Sequence, residues 1–498
     1  MAKVCVIGAG FSGLSAACYL SAAGHEVHVL EKNNTPGGRA RQLKTNEGFV
    51  FDMGPSWYWM PDIFEKFFND FGYCSHDFYT LKRLDPAFEI VFKEKDIIKI
   101  PAKFEDICSL FESIEEGAGT QLKKMMDDGA LKYEIAASKL MYLPGLSLKE
   151  FADKDLLKGV LSLSIFSSFS SYLKKYFSHP KLISLMEFPV FFLGASPEKT
   201  PALYSLMNYA GLKLGTWYPE GGFGKVVDAM VKIAESYGAK FHFNTDVKKI
   251  ITKNGRAVAL HLDGNNIQCD GVVASADYEH VDNELIDQNE KNYDSRYWST
   301  RVLAPSCLIF FIGLNKKIAR LAHHTLFFDE DFNTHAKEIY KTPRWPSAPL
   351  FYCCCPSKTD ASIAPEGHEN MFILMPIAAG IHDDEATREK YFAIMMERLE
   401  KHAGEAISSR IIFKQSYCIV DFANDYNAYK GNAYGLANTL MQTAIMKPKM
   451  KNFKIENLFY CGQLTVPGPG VPPSIISGKM AAGLLSDQLK RKVHETAF

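Results

Sequence analysis

The sequence predicts an α/β fold: a parallel, Rossmann-like sheet, a second discontinuous lobe and a helical insertion. Three observations predict it. An apolar run at the amino terminus meets a glycine-spaced turn and a helix of small residues. Strand signals return after residue 240 and again near the carboxyl terminus, and residues 103–216 change to helical spacing and a strongly apolar composition.

The first element is Val4-Cys5-Val6-Ile7, short and apolar enough for a buried parallel strand. Gly8, Gly10 and Gly13 follow in the spacing G-x-G-x-x-G, with Phe11 and Ser12 opening a helix rich in Ala and Ser. Gly8 permits a tight turn, Gly10 lets a pyrophosphate approach the backbone, and Gly13 lets the helix sit close on the sheet. Phosphates then lie at the positive end of the helix. A second strand, Val27 to Leu30, ends on Glu31 and Lys32, and Glu31 stands eighteen residues past Gly13, where an acid binds the hydroxyls of an adenine ribose. An acid rather than an arginine there speaks against a 2′-phosphate.

Gly37-Gly38-Arg39-Ala40 comes next, and then Asp52-Met53-Gly54-Pro55-Ser56. A glycine pair lets the backbone pass a second phosphate, and Arg39 can supply the cation. Read alone, this is equally a loop with a solvated arginine. Beside the opening unit, the phosphate reading is stronger.

Gly8 to Gly13, Glu31, Gly37-Gly38-Arg39 and Asp52-x-Gly54-Pro55 together resemble the amine oxidase and phytoene desaturase superfamily of FAD enzymes. More narrowly, the chain is similar to the bacterial and fungal carotenoid desaturases. Trp57-Tyr58-Trp59 after Ser56 looks nearest to phytoene desaturases of the Bacteroidetes type. The resemblance implies an FAD-binding domain of the glutathione reductase type. It places FAD on Gly8, Gly10, Phe11, Ser12, Gly13, Glu31, Lys32, Gly38, Arg39, Gly54, Pro55, Ser56, Val247, Gly462, Gln463, Gly470 and Val471. It also implies removal of hydride and proton from a long polyene, phytoene towards lycopene, with a quinone or dioxygen as final oxidant.

Composition agrees. The chain has 498 residues, 47% of them hydrophobic, which is more than one core needs, and a net charge of −1 gives no sequence-wide attraction to nucleic acid. Eleven cysteines show no C-x-x-C framework, and Cys353, Cys354 and Cys355 are contiguous, so neither disulfides nor a metal site is expected. No apolar run reaches the roughly 20 residues of a membrane span, and the strand begins at once, without a leader. The expected place is the cytoplasm, on the inner face of the cell membrane.

Along the chain, Ile63, Phe64, Phe67, Phe68 and Phe71 have helical spacing, and Phe88 to Phe92 reads as an alternating strand. Trp57-Tyr58-Trp59 reads as core or, by the resemblance, as a wall near the flavin ring. Two apolar ribbons, Leu156 to Phe169 and Leu185 to Leu193, read as interior helices, or else as a tunnel wall or a membrane-facing plateau with Lys174 and Lys175 at the headgroups. Tyr218-Pro219-Glu220-Gly221-Gly222 leads into a helix and then strands, including Val247 to Ile251 and a hairpin at Asp263-Gly264.

Leu308 to Leu314, His323 to Phe328 and Met371 to Pro376 read as strands. His323 and His324 should face opposite ways and are left unassigned. Asp383 to Glu385 and Lys447 to Lys451 read as solvated charge runs. Thr465 to Pro473, a Gly- and Pro-rich loop before a small-residue helix, reads as a clasp on the flavin end, although Pro469 and Pro473 supply no N–H.

The expected division is 1–75, 217–288 and 436–498 for the FAD lobe, 76–102 and 289–435 for the substrate lobe, and 103–216 for the insertion. No acid/base group stands out, and proton loss beside an allylic cation needs little help. Later-step desaturases, isomerases and saturases of the same family remain alternatives. So does an amine or amino-acid oxidase, which the apolar ribbons disfavour, and a non-catalytic flavin scaffold is the weakest.

Overall fold

The computed structural model describes residues 1–93, 96–147, 150, 167–192 and 196–495. The opening unit forms as expected: β1 (Lys3–Ile7), α1 (Phe11–Ala22) and β2 (Glu26–Leu30). β1 is hydrogen-bonded on one side to β2 and on the other to Gly271–Ala274, all parallel, with Lys240–His242 and Leu458–Tyr460 at the edges. Three distant stretches therefore build one five-stranded sheet. Parallel strands buried on both faces need apolar side chains throughout, and Val4, Val6, Val27, Val29, Val272 and Val273 are fully buried.

α1 is sandwiched between this sheet and the C-terminal helix Val471–Glu495, against which it makes its most extensive contact. The small residues of α1 are what let the two axes approach. A Cβ on Gly478 would lie 2.2 Å from Ser12 O and 2.7 Å from Ser15 Cβ.

The second lobe is a seven-stranded sheet in the order Ile411–Tyr417, Ser306–Leu314, Glu369–Ile377, Phe351–Cys354, His324–Phe327, Phe88–Lys93, Asp96–Ile100. Its pairs are antiparallel except that of His324–Phe327 with Phe88–Lys93. Phe88 to Phe92 does not alternate as expected: Phe88, Glu89, Ile90 and Val91 are all buried, because this sheet is covered on both faces. Glu89 is tolerated there because it accepts hydrogen bonds from Thr325 Oγ1 (2.9 Å) and His402 Nε2 (3.2 Å).

A three-stranded sheet follows Lys240–His242, the edge strand of the five-stranded sheet, with Asp263-Gly264 as its expected two-residue turn. Its first strand starts at Lys249, not Val247, which leaves Val247 in the preceding loop, buried beside the parallel sheet.

Helices Ala118–Ser138 and Pro180–Phe192 lie between the lobes. Leu185, Met186 and Val190 of the second ribbon are buried in the core shared with the seven-stranded sheet, and Phe188 and Pro189 line the main cavity, so this part is an interior helix and not a membrane-facing plateau. Leu156 to Phe166, the body of the first ribbon, and Leu193 lie outside the described residues. Among the described residues, no helix is long and apolar enough to cross a membrane.

Two charge runs depart from the solvated reading. The Asp383 side chain is buried against Arg388, with Nη2 to Oδ2 at 2.7 Å. Lys447 is 2% exposed and its Nζ has no partner among the described residues. It lies beneath the Pro467 to Gly470 loop, where a Cβ on Gly468 would sit 3.4 Å from that Nζ.

Burial lowers the Lys447 pKa to about 8. Because the unfolded chain then binds this proton more tightly, the lysine costs stability below pH 8, and the cost fades as pH rises to the ordinary value of 10.5. Lys447→Met is expected to raise the unfolding midpoint of FAD-free protein by a few degrees at pH 7, and by nothing near pH 11. An unchanged or lower midpoint at pH 7 would contradict this.

Candidate active site

A cavity of about 600 Å³ runs between the lobes. It is lined by Gly8, Gly10, Phe11, Ser12, Glu31, Lys32, Gly38, Arg39, Gly54, Pro55, Ser56, Val247, Gly462, Gln463, Gly470 and Val471. Gly13 is the one residue of the expected set outside the lining. It packs behind the turn, where a Cβ would lie 2.0 Å from Gly8 O.

The floor is bare backbone. Gly10 and Gly37 form a parallel bridge, Gly37 N–H donates to Ala9 O (2.8 Å), and a Cβ on Gly38 would come within 3.1 Å of Gly10 Cα. Side chains anywhere along this contact would fill the cradle.

Glu31 is buried and works hard locally. Its Oε2 accepts from Ala9 N–H (2.8 Å), and its Oε1 accepts from the backbone and side-chain N–H groups of Asn33 (both 2.9 Å). It therefore ties the glycine turn to the end of β2, with lone pairs left for a ribose hydroxyl. Lys32 turns the other way, donating to Asn424 O (2.7 Å) and Asn427 Oδ1 (3.0 Å) of the second lobe. It fastens the lobes together and does not point its charge into the cavity.

Arg39 is the cation of the site. Its guanidinium is buried, donates to Asn432 O (3.2 Å), lies 5.0 Å from the Tyr426 ring centroid, and leaves Nε without a partner among the described residues. Desolvation pulls its pKa down, and nearby Asp277 acts against that, while burial pushes the Asp277 carboxyl up to about 6. A buried guanidinium with an unused donor, beside a glycine cradle and the N-terminus of α1, fits the pyrophosphate of a dinucleotide.

The clasp at the other end is leaner in donors than its glycines suggest. Pro472 and Pro473 occupy the first turn of the C-terminal helix, and Ser474 N–H is spent on Gly470 O (3.0 Å). Gly462 N–H donates to Ser477 Oγ (3.0 Å), which fixes strand Leu458–Tyr460 to that helix.

Beyond the dinucleotide end, the walls change character. Trp57, Trp59 and Phe188 pack with centroids 5.4 to 6.0 Å apart, Trp59 edge-on to both others and Trp57 tilted on Phe188, and Leu140, Met141, Leu206, Met207, Ile309 and Leu374 continue the lining. The charged residues lining the cavity are Glu31, Lys32, Arg39, Asp246, Asp277 and Asp425, all at the dinucleotide end. Among the described residues, the apolar part carries no charged side chain.

Sequence reasoning missed several residues that the fold brings here. Asp277, just past strand Gly271–Ala274, had a usable signal: it follows the carboxyl end of a parallel strand, where ligands of such sheets bind. Asp425, Tyr426 and Tyr352 had none, since they come from the second lobe. His323 and His324 also differ from expectation. The strand begins only at His324, so His323 is free of its alternation, and His323, His324 and Cys354 hold their ligating atoms within 4.8 Å of one another. We assign no metal to them. The contiguous cysteines do alternate: Cys353 and Cys355 share one face, Sγ to Sγ 3.9 Å, and all eleven cysteines are free thiols.

A family model described as flavin containing amine oxidoreductase matches residues 11–486. The chain is 39% identical over 487 residues to the carotenoid 3,4-desaturase of Haloarcula japonica, covering 98% of each chain. It is 28% identical to the zeta-carotene-forming phytoene desaturase of Myxococcus xanthus (96% of this chain, 92% of that one). Among solved structures, an oxidoreductase from Methanosarcina mazei superposes with TM-score 0.62 at 19% identity (96% of this chain, 99% of that one). Putrescine oxidase bound to putrescine superposes with TM-score 0.62 at 14% identity (97% and 99%). At such identities the structures speak for the fold alone.

Proposed function

This chain belongs to the carotenoid desaturases of the flavin-containing amine oxidoreductase family, and we propose that it desaturates phytoene stepwise towards lycopene. FAD is its cofactor, and when bound it supplies the acceptor for the substrate's hydride. We assign FAD to the residues named above. Arg39, Gly10 and Gly38 hold the pyrophosphate, Glu31 the ribose, and Gly462 to Val471 the flavin end, and the six-segment division of the chain belongs to the same reading.

The observation that carries the substrate class is the apolar wall beyond the dinucleotide end, which has no charged side chain among the described residues. A ligand there is held by burial and shape. At about 25 cal/mol per Å² of apolar surface removed from water, a long hydrocarbon chain gains affinity in such a wall, whereas a protonated amine would lose its hydration without an ion pair. Trp57, Trp59 and Phe188 keep the chain in place and keep water out.

The proposal extends to delivery. Leu146, Met441 and Met446 are exposed apolar side chains beside Gly145, Thr443 and Ala444 of the cavity lining. We place this rim against the inner face of the cell membrane, from which a lipophilic polyene would enter, with a quinone or dioxygen as final oxidant.

The 39% identity to a carotenoid 3,4-desaturase favours a second reading, desaturation of a later carotenoid. One experiment separates them. In a bacterium engineered to accumulate phytoene, expression is expected to give coloured carotenoids whose absorbance spectra count the new double bonds. Unchanged phytoene beside yellow, FAD-loaded protein would sink the phytoene reading, and the same test with lycopene would then decide the later step.

A further inference from the structure

Opposite the FAD-lobe segment Gly54 to Trp57, the seven-stranded sheet presents one hydroxyl to the cavity wall in an unusual setting. Tyr352 lines the cavity, and its hydroxyl donates to Ser56 Oγ (3.0 Å), which lines it too. The same hydroxyl lies 2.6 Å from His324 Nδ1. His324 sits two positions along and one strand over, on the same face, because Leu326 pairs with Tyr352 and His324 with Cys354.

The imidazole is held rigidly. Trp57 stacks on it at 4.1 Å between centroids and 11° between planes. Its Nε2 is buried without a partner among the described residues. A second cavity of about 20 Å³, room for one water, lies on the other side of Ser56, lined also by His323, Cys354, Asn370 and Asp52 and not by His324. A fully buried histidine whose one polar contact among the described residues is a phenol, stacked on Trp57 and edge-on to His323 behind the wall of an otherwise apolar cavity, keeps its polar atoms at a desolvation cost that an apolar side chain would not carry.

We propose that Tyr352 is a catalytic residue of the desaturation and His324 its positioning partner: Tyr352 Oη accepts the proton that the polyene loses. This rests on the desaturase reading. Once the hydride has gone to the flavin, the C–H bond on the adjacent carbon breaks and its electron pair becomes the new double bond. The proton goes to Tyr352 Oη, whose own hydrogen, turned from Ser56 to His324, passes to Nδ1. A proton beside an allylic cation is so acidic that a weak base suffices, and the imidazolium gives the proton up to water before the next step, which returns Tyr352 and His324 to their neutral forms.

The test is single-turnover formation of the lengthened chromophore from phytoene in liposomes, with FAD-loaded enzyme, using substrate that is ordinary or deuterated at the carbons losing the proton. Wild type run first separates the two claims. No chromophore from phytoene or from lycopene would overturn the desaturase reading and this assignment with it, whereas chromophore from either leaves the variants to decide. Tyr352→Phe is expected to slow chromophore formation roughly 10- to 100-fold with FAD content unchanged, and to raise the deuterium isotope effect because proton loss has become limiting. A merely structural tyrosine would slow the reaction without raising that effect. A rate within threefold of wild type, or a slowed rate with an unchanged isotope effect, overturns the proposal. His324→Asn, which keeps an amide near the Nδ1 position but cannot take a proton, is the second variant. It is judged by the same two readouts, and it decides alone if Tyr352→Phe does not load FAD.

Discussion

Gly13→Ala is expected to yield a chain that retains no FAD through purification and unfolds well below the wild type. The added Cβ would lie 2.0 Å from Gly8 O and 3.1 Å from both Gly8 C and Ser275 Cβ. None of these can yield cheaply. Gly8 N–H is bonded to Leu30 O at 2.8 Å, and Ser275 follows the strand hydrogen-bonded to β1. Moving α1 outward instead would drive Ser12 and Ser15 into the C-terminal helix at Gly478.

Overpacking a core costs about 1–3 kcal/mol, and backbone on both sides puts this site at or above the upper end. Gly10→Ala makes the contrast: its Cβ would meet only Gly38 Cα, at 3.9 Å. That variant is expected to fold with a wild-type unfolding midpoint and to lose FAD affinity alone, since its methyl would stand in the cradle. The measurement is flavin-to-protein absorbance together with thermal unfolding. Full FAD occupancy and an unchanged midpoint in Gly13→Ala would show that α1 does not pack on the glycine turn in this way.

Arg39→Met is expected to weaken FAD binding about 10- to 100-fold, because a hydrogen bond to a charged group contributes roughly 1.5–3 kcal/mol and this guanidinium has one donor to spare. The fold itself should respond in the opposite direction from Gly13→Ala. Arg39 is a desolvated cation with an unused Nε, and Asp277, already pushed up to about 6, can take a proton once its neighbour is gone. The FAD-free variant is therefore expected to unfold at or above the wild-type temperature. Titrating FAD-free protein with FAD, followed by flavin fluorescence, gives the affinity. A dissociation constant within threefold of wild type would place the pyrophosphate somewhere other than against Arg39.

What the sequence determined by itself was whatever its local grammar could carry. The strand, glycine turn, helix and acid from Lys3 to Glu31 are all made of contacts between near neighbours in the chain, so spacing alone specifies them. The chemistry of the family is legible for the same reason, as are Gly38 and Arg39, the turn at Asp263-Gly264 and the alternation of the three contiguous cysteines.

Tertiary structure decided the rest, wherever the answer depends on which distant segments meet. Leu185 and Met186 look the same in sequence whether a helix faces lipid or a sheet, and the seven-stranded sheet makes them interior. Lys447 looks solvated until the loop at Gly468 covers it. Lys32 sits next to Glu31 yet reaches Asn427, and His324 meets Tyr352 only because their strands pair at one register. Backbone pattern restricts what each residue can do, but the burial and hydrogen bonds that set its chemistry come from partners in other segments, 28 residues away for His324 and 395 for Lys32, and no local periodicity encodes them.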